Sequence, residues 1–292
     1  MFKEPQESKT YGNPHPCGIK KILRNGSQIH FWDQVVLEEP LEIRVGGASQ
    51  NTKLNEFSLS ITMRTPGDDF ALVVGFLKAE GLIRSYQDIL SMKFCGPHPI
   101  REPTNIVRVK LRSALQQKSL RRFFVSSSAC GLCGKSSLEM LQKDGLEALN
   151  PIPGFKMGAG LLWDLRDKLN CLQGMFRCTG GVHAAAIYSE TGKPLFWSED
   201  IGRHNALDKV IGQALMVDKP LNKHILMLSG RSSYELLQKA VVVKIPLVIS
   251  VGAPSSAALQ IAKAYGVCLL GFLGEDSVNV YNDEFGYCSH IE

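Results

Sequence analysis

No stretch of this 292-residue chain is long and apolar enough to cross a bilayer. The most hydrophobic region, Leu236 to Val251, is split by Lys244 and Pro246, well short of the roughly 20 uninterrupted residues a spanning helix needs. No secretory leader is expected either, since Met1-Phe2-Lys3-Glu4-Pro5-Gln6-Glu7 has no apolar core. The expectation is a cytoplasmic protein that uses no membrane. In that reducing setting the eight cysteines are not a disulfide framework. Basic runs are scarce: the net charge is +5, and only Arg121-Arg122 with Lys118 makes a cluster. That is too little for nucleic acid, though it suits a small polyanion or an ordinary solvated surface. Neither a P-loop nor a spaced-glycine dinucleotide fingerprint occurs, and no carboxylate pair or Ser/His arrangement suggests hydrolysis.

The length and the 44% hydrophobic content favour two domains. Residues 1–20, with Pro5, Pro14 and Pro16 and few aliphatics, read as a poorly ordered arm. Residues 21–115 read as a small α+β domain. Strand-like runs occur at Ile29 to Leu37, Leu41 to Val45 and Thr104 to Arg112. The last alternates, with Val107, Val109 and Leu111 inward and Arg108, Lys110 and Arg112 outward, as expected of an outer antiparallel strand. Between them Thr65 is placed to cap a helix, Asp68 and Asp69 suit its positive end, Phe70, Val73, Val74 and Leu77 form its buried stripe, and Gly81 stops it.

Residues 116–292 read as an α/β domain. A capping box at Ser136-Ser137-Leu138-Glu139 opens a helix to about Leu149. A second helix carries Leu161, Leu162, Leu165 and Leu169. A hairpin follows, Val182 to Tyr188 and Leu195 to Ser198. Helices at Asn205 to Leu215, Ser233 to Val243 and Ser255 to Ala264 then alternate with strands at Ile225 to Leu228, Leu247 to Val251 and Val267 to Gly271. This rhythm predicts a mostly parallel sheet with helices on its faces.

In such sheets ligands sit beyond the carboxyl ends of the strands. Three loops leave those ends: Ser229-Gly230-Arg231-Ser232-Ser233, Gly252-Ala253-Pro254-Ser255-Ser256 and Phe272-Leu273-Gly274-Glu275-Asp276-Ser277. The first two set glycine and serine at helix N-termini, where free N–H groups favour phosphate. Nearby polar residues have duller readings too. His183 suits a buried, hydrogen-bonded histidine, while Arg203, His204 and Asp208 suit a capped, salt-bridged helix. Glu199 and Asp200 read as caps rather than acids.

Chemistry concentrates in Ser126-Ser127-Ser128-Ala129-Cys130-Gly131-Leu132-Cys133-Gly134-Lys135, where two thiols lie three residues apart among Ser, Gly and Ala. Structural zinc would need two further ligands, and Cys171, Cys178 and His183 make no second knuckle. The zinc deaminase signature fails, because no His-x-Glu is present. A thiol–disulfide oxidoreductase pair would sit more rigidly at the start of a helix. A sulfur carrier needs a thiolate with lowered pKa, exposure and reach, which Lys135, the following helix start and the glycines could supply. A chaperone whose thiols are only structural stays open.

Four segments together resemble the FdhD family of formate dehydrogenase accessory proteins. They are Cys130-Gly131-Leu132-Cys133-Gly134-Lys135, Thr179-Gly180-Gly181-Val182-His183-Ala184-Ala185, Glu199 through Lys209 (EDIGRHNALDK), and Ser229-Gly230-Arg231-Ser232-Ser233-Tyr234-Glu235. The resemblance implies a cytidine-deaminase-like layered sheet with helices on both faces and no zinc, plus the small N-terminal α+β domain, and a homodimer. It implies that Cys130 accepts sulfane sulfur from a cysteine desulfurase as a persulfide, with Cys133 assisting. The sulfur then passes to the molybdenum of bis(molybdopterin guanine dinucleotide), required by formate dehydrogenase. The cofactor would be held by Phe272, Leu273, Gly274, Glu275, Asp276 and Ser277, with Arg203, Arg231 and His183. Two carboxylates in that loop repel phosphate, so the phosphate contacts are expected from the arginines and backbone amides, and the loop is expected to grip guanine.

Overall fold

The computed structural model describes residues 14–47, 56–95, 105–112 and 146–289. Cys130, Cys133 and the expected capping box lie outside them. Residues 146–149, where the expected helix was to end, are not helical, and the Leu149 amide donates to the Tyr265 carbonyl (2.8 Å).

The expected arm ends earlier than residue 20. Strand β1 (His15–Ile22) pairs antiparallel with β2 (Gln28–Val35) in a hairpin by itself. A four-stranded sheet follows, in the order β4 (Glu56–Arg64), β3 (Glu39–Gly47), β6 (Ile106–Leu111), β5 (Ile89–Phe94). The alternation along β6 is as expected, with Val107, Val109 and Leu111 buried. Its position is not, because β6 lies inside the sheet, parallel to β3 and antiparallel to β5. Alternation reports which face is wet, not whether a strand is an edge.

Helix α1 (Asp69–Ala79) covers this sheet, packing Leu72, Val73, Val74 and Leu77 against Leu41, Ile43, Val45, Val107 and Val109. Gly81 ends it at φ +74°. The Gly81 and Leu82 amides donate to the Lys78 and Leu77 carbonyls (both 2.9 Å), the paired closure a left-handed glycine permits. Thr65 does not cap the helix. It is buried and points its hydrogen bonds at the other half of the molecule, as described below.

The six-stranded sheet runs β12 (Asn279–Asn282), β11 (Cys268–Gly271), β10 (Leu247–Ser250), β9 (His224–Leu228), β7 (His183–Ser189), β8 (Pro194–Asp200). The central three are parallel, β12 and β7 run antiparallel to them, and β8 runs antiparallel to β7 and so along with the central three. Each central strand buries both faces. Leu226, Leu228, Val248 and Leu269 pack with α4 (Arg203–Met216), α5 (Tyr234–Val242) and α6 (Ser256–Tyr265). Ile225, Met227, Leu247, Ile249 and Leu270 pack with α2 (Ala159–Leu172). A short helix, α3 (Gly174–Thr179), precedes β7. This is the layered α/β class expected, with helices on both faces. Among the described residues no helix is long and apolar enough to cross a membrane.

The two sheets are joined by α1 crossing α4 at backbone contact. A Cβ on Gly75 would fall 1.8 Å from the Asp208 carbonyl oxygen, and one on Gly212 would fall 1.8 Å from that of Ala71. Only glycine permits this approach.

Candidate functional site at the carboxyl edge of the sheet

Since β7 runs against β9, its first residue, His183, lies at the same edge as the last residues of the parallel strands. The Ser229 hydroxyl accepts from the Ala184 amide (2.7 Å), and the Ser229 amide donates to the Ala184 carbonyl (3.0 Å). His183 is also in register with Asp200 at the end of β8, from which the chain turns into α4. Three segments far apart in sequence, 179–185, 199–209 and 229–235, thus meet at one edge.

The strand-end loops are packed backbone against backbone. The Gly252 amide donates to the Gly230 carbonyl (3.2 Å), and the Phe272 amide to the Gly252 carbonyl (3.2 Å). Cβ atoms on Gly230 and Gly252 would lie 3.1 Å from His183 Nδ1 and 2.8 Å from the Arg231 nitrogen. Arg203, Arg231 and His183 are brought together here. Burial first, then the charges of Arg203 and Arg231, push the His183 imidazole below its ordinary value. It is therefore neutral near pH 7, with a tautomer free to donate or accept.

The polar atoms divide into satisfied and unsatisfied. In the second loop the Ser255 hydroxyl is spent, capping α6 by accepting from the Ala258 amide (3.1 Å). In the first loop the hydroxyls of Ser232 and Ser233, and Nε of Arg203, are buried with no hydrogen-bond partner among the described residues. Buried donors without partners are costly. One guanidinium and two hydroxyls around a helix start are the donor set a phosphate takes.

Phe272 is half-exposed and held at φ +54°, a backbone region that is strained for an aromatic residue. Leu273 is buried in the core and anchors the loop, with its amide donating to the Ser250 carbonyl (3.2 Å). The Gly274 amide donates to the Ser277 carbonyl (2.9 Å), closing the turn. Glu275 sits 3.6 Å from the Arg166 guanidinium on α2, and its backbone carbonyl accepts from the Trp163 indole N–H. The loop's acidity is thereby partly offset from the opposite face. Asp276 is exposed.

Much of the EDIGRHNALDK segment is structural. Glu199 caps α3, accepting from the Met175 and Phe176 amides (both 2.8 Å). Asp200 is fully buried, accepts from the Gly202 amide (2.8 Å) and the Thr65 amide (3.2 Å), and pairs with Lys209 (2.8 Å). Lys209 also donates to the Thr65 carbonyl (2.8 Å), and Asn205 to the Met63 carbonyl (2.8 Å). The Thr65 hydroxyl accepts from the Ile201 amide (3.0 Å). Asp208 pairs with Lys239 of α5 (2.5 Å), and burial pushes its carboxyl up. His204 lies 2.7 Å from Glu235, whose carboxyl this contact holds below its usual range. The salt-bridged reading of Asp208 is therefore the right one, but its partner is on a neighbouring helix. Sequence reasoning missed Thr65, Asn205 and Lys209 as a buried seam. The available signal was a lysine on the apolar face of α4.

An apolar groove of about 680 Å³, lined by Phe70, Phe94, Phe196, Met216 and Val217 among others, contains none of the expected site residues.

Fold and edge together define a layered α/β protein whose cationic, histidine-bearing strand ends carry donors left unsatisfied among the described residues, joined to a smaller sheet by hydrogen bonds at Met63 and Thr65. Residues 36–286 match the FdhD/NarQ family model. A sulfur carrier protein FdhD from Streptomyces coelicolor is 41% identical over 89% of this chain and 90% of its own length. One from Mycobacterium tuberculosis is 41% identical over 85% and 90%. The crystal structure of a proposed formate dehydrogenase accessory protein from Desulfotalea psychrophila shares the fold, with TM-score 0.69, 22% identity, and coverage of 96% of this chain and 100% of that one. The chain belongs to the FdhD/NarQ family.

Proposed function

We propose that this chain is a cytoplasmic sulfur carrier serving formate dehydrogenase, and that its cargo site for bis(molybdopterin guanine dinucleotide) is the carboxyl edge of the six-stranded sheet. The observation that carries the cargo site is the set of unsatisfied donors, Arg203 Nε with the Ser232 and Ser233 hydroxyls, beside Arg231 and neutral His183. The guanine would stack on exposed Phe272, in the loop that runs to Ser277.

Sulfur enters when the Cys130 thiolate attacks the outer sulfur of a cysteine desulfurase persulfide, leaving the desulfurase thiolate and Cys130–S–SH. Attack by the Cys133 thiol on the inner sulfur then forms the Cys130–Cys133 disulfide and releases hydrosulfide to the molybdenum. A low-molecular-weight thiol reduces the disulfide and resets the carrier. The family names of the relatives support this reading. The homodimer is supported by the β1–β2 hairpin, which exposes Ile22, Ile29, Phe31, Trp32 and Val35, apolar surface that a second copy would cover.

The test is mass spectrometry after incubation with a desulfurase and cysteine. The expected result is a gain of one sulfur atom that disappears in Cys130→Ala. No adduct, alongside a freely cycling Cys130–Cys133 disulfide, would favour a thiol–disulfide oxidoreductase instead.

A further inference from the structure

Cys268 begins β11, at the end of the sheet opposite the strand-end loops, and its side chain belongs to the apolar cluster under α2. The C-terminal turn returns Asp283 and Cys288 to it. The two Sγ atoms and a carboxylate oxygen all lie within 4.8 Å of one another, the one such set of three potential ligands among the described residues. Sulfur transfer at Cys130 uses none of them.

The three groups are held in place independently of any ion. Asp283 accepts from the Tyr287 and Cys288 amides, one on each carboxylate oxygen (both 2.8 Å). Tyr287 is itself anchored twice, its hydroxyl accepting from the Ile152 amide (2.6 Å) and its carbonyl from the Met157 amide (2.8 Å). Its ring packs edge-on against Phe155 (5.3 Å between centroids). Cys268 is fixed by its strand and is buried, whereas Asp283 and Cys288 are half-buried. A carboxylate oriented by two N–H groups, facing two thiols at the rim of an apolar core, is a preorganised ligand set.

The donor chemistry selects the ion. Two thiols exclude calcium and magnesium, which take oxygen. Two sulfurs and one carboxylate suit zinc, which takes a fourth ligand to complete its tetrahedron. Zinc–sulfur bonds of about 2.3 Å put tetrahedral sulfurs about 3.8 Å apart, within reach of side-chain rotation from the observed spacing.

The geometry points to a zinc site formed by Cys268, Asp283 and Cys288 that clamps the C-terminal turn to the six-stranded sheet. Binding consumes one Zn²⁺ and converts two S–H groups to thiolates, sending two protons to solvent; no oxidant or reductant is involved. In the metal-free chain, hydrogen bonding to Cys288, burial and the nearby Cys288 and Asp283 charges push the Cys268 thiol up.

The test uses the full-length chain carrying Cys130→Ala and Cys133→Ala, which removes the competing thiol pair, reduced and freed of metal under anaerobic conditions. It is titrated with Co²⁺ and then Zn²⁺. Expected are one equivalent per chain, a thiolate-to-cobalt charge-transfer absorption, displacement by zinc, and affinity at least about tenfold weaker when Cys288→Ser or Asp283→Asn is added. No stoichiometric uptake by the parent, or uptake undiminished in either added variant, overturns the site. Because cobalt absorption is the readout, the outcome is independent of whether Cys130 carries sulfur.

Discussion

The contact between the strand-end loops makes Gly252 the position where a single methyl group should disturb the site most. Its Cβ would meet the Arg231 nitrogen and Gly230 carbon at 2.8 Å and the Gly230 oxygen at 2.9 Å. All three are backbone atoms, so no side chain can swing aside. Restoring ordinary contact requires the loops to part by roughly 0.6 Å, which breaks the hydrogen bond from the Gly252 amide to Gly230 and shifts Arg231. Overpacking of this kind costs about 1–3 kcal/mol, and the lost backbone bond falls within that range. Gly252→Ala should thus lower the urea midpoint by several tenths of a molar or more, taking a slope of about 3 kcal/mol/M. It should also weaken GDP binding, measured by calorimetry, about tenfold or more. Gly160→Ala, in the first turn of α2, is the control. Its Cβ would meet nothing within 4 Å, so the midpoint should not fall and GDP affinity should stay at the parent value. A Gly252→Ala chain with the parent midpoint and parent GDP affinity would refute the steric argument and the cargo site together.

The half-exposed, left-handed Phe272 yields an opposing pair of effects. Phe272→Asn should unfold no earlier than the parent, because asparagine accepts that conformation, yet bind guanine nucleotides about tenfold more weakly; a lower Tm with unchanged affinity would reverse the reading. His183 titrates below its ordinary value in the folded chain. The unfolded chain therefore takes up its proton first, near pH 6.5, and stability declines as pH falls below that. His183→Gln should flatten part of the slope between about pH 7 and 5 in denaturation series, and identical slopes would count against it. Lys209 pairs with Asp200 at the buried seam. Lys209→Met should cost about 3–5 kcal/mol by leaving Asp200 uncompensated. The Asp200→Asn/Lys209→Met double variant should recover part of that loss, and strict additivity in the cycle would show that the two do not interact.

The strand-end loops of the α/β half were legible because each parallel strand is a short apolar run, and the first two are followed by glycine and serine and then a helix with one apolar stripe. Ser229 to Ser233 and Phe272 to Ser277 lie where that pattern puts them. The strand β6 shows the limit of the method, since Val107, Val109 and Leu111 disclose a buried face but not which strands flank it. Thr65 shows another. Its local context is a helix cap, and its actual partners, Ile201, Asp200 and Lys209, are more than a hundred residues away.

The sequence by itself determined the class of fold, the family and the thiol pair, because these depend on periodicity and on short contiguous motifs. Only the tertiary structure decided which polar residues of those motifs are free to bind and which are spent. Asp200, Asn205, Asp208 and Lys209 are satisfied by partners from other elements, while Arg203, Ser232 and Ser233 are left with buried donors that have no partner among the described residues. A hydrogen bond between distant segments leaves no local trace in the chain. The same holds for Cys268, Asp283 and Cys288, which become one site only when β11 and the C-terminal turn pack together.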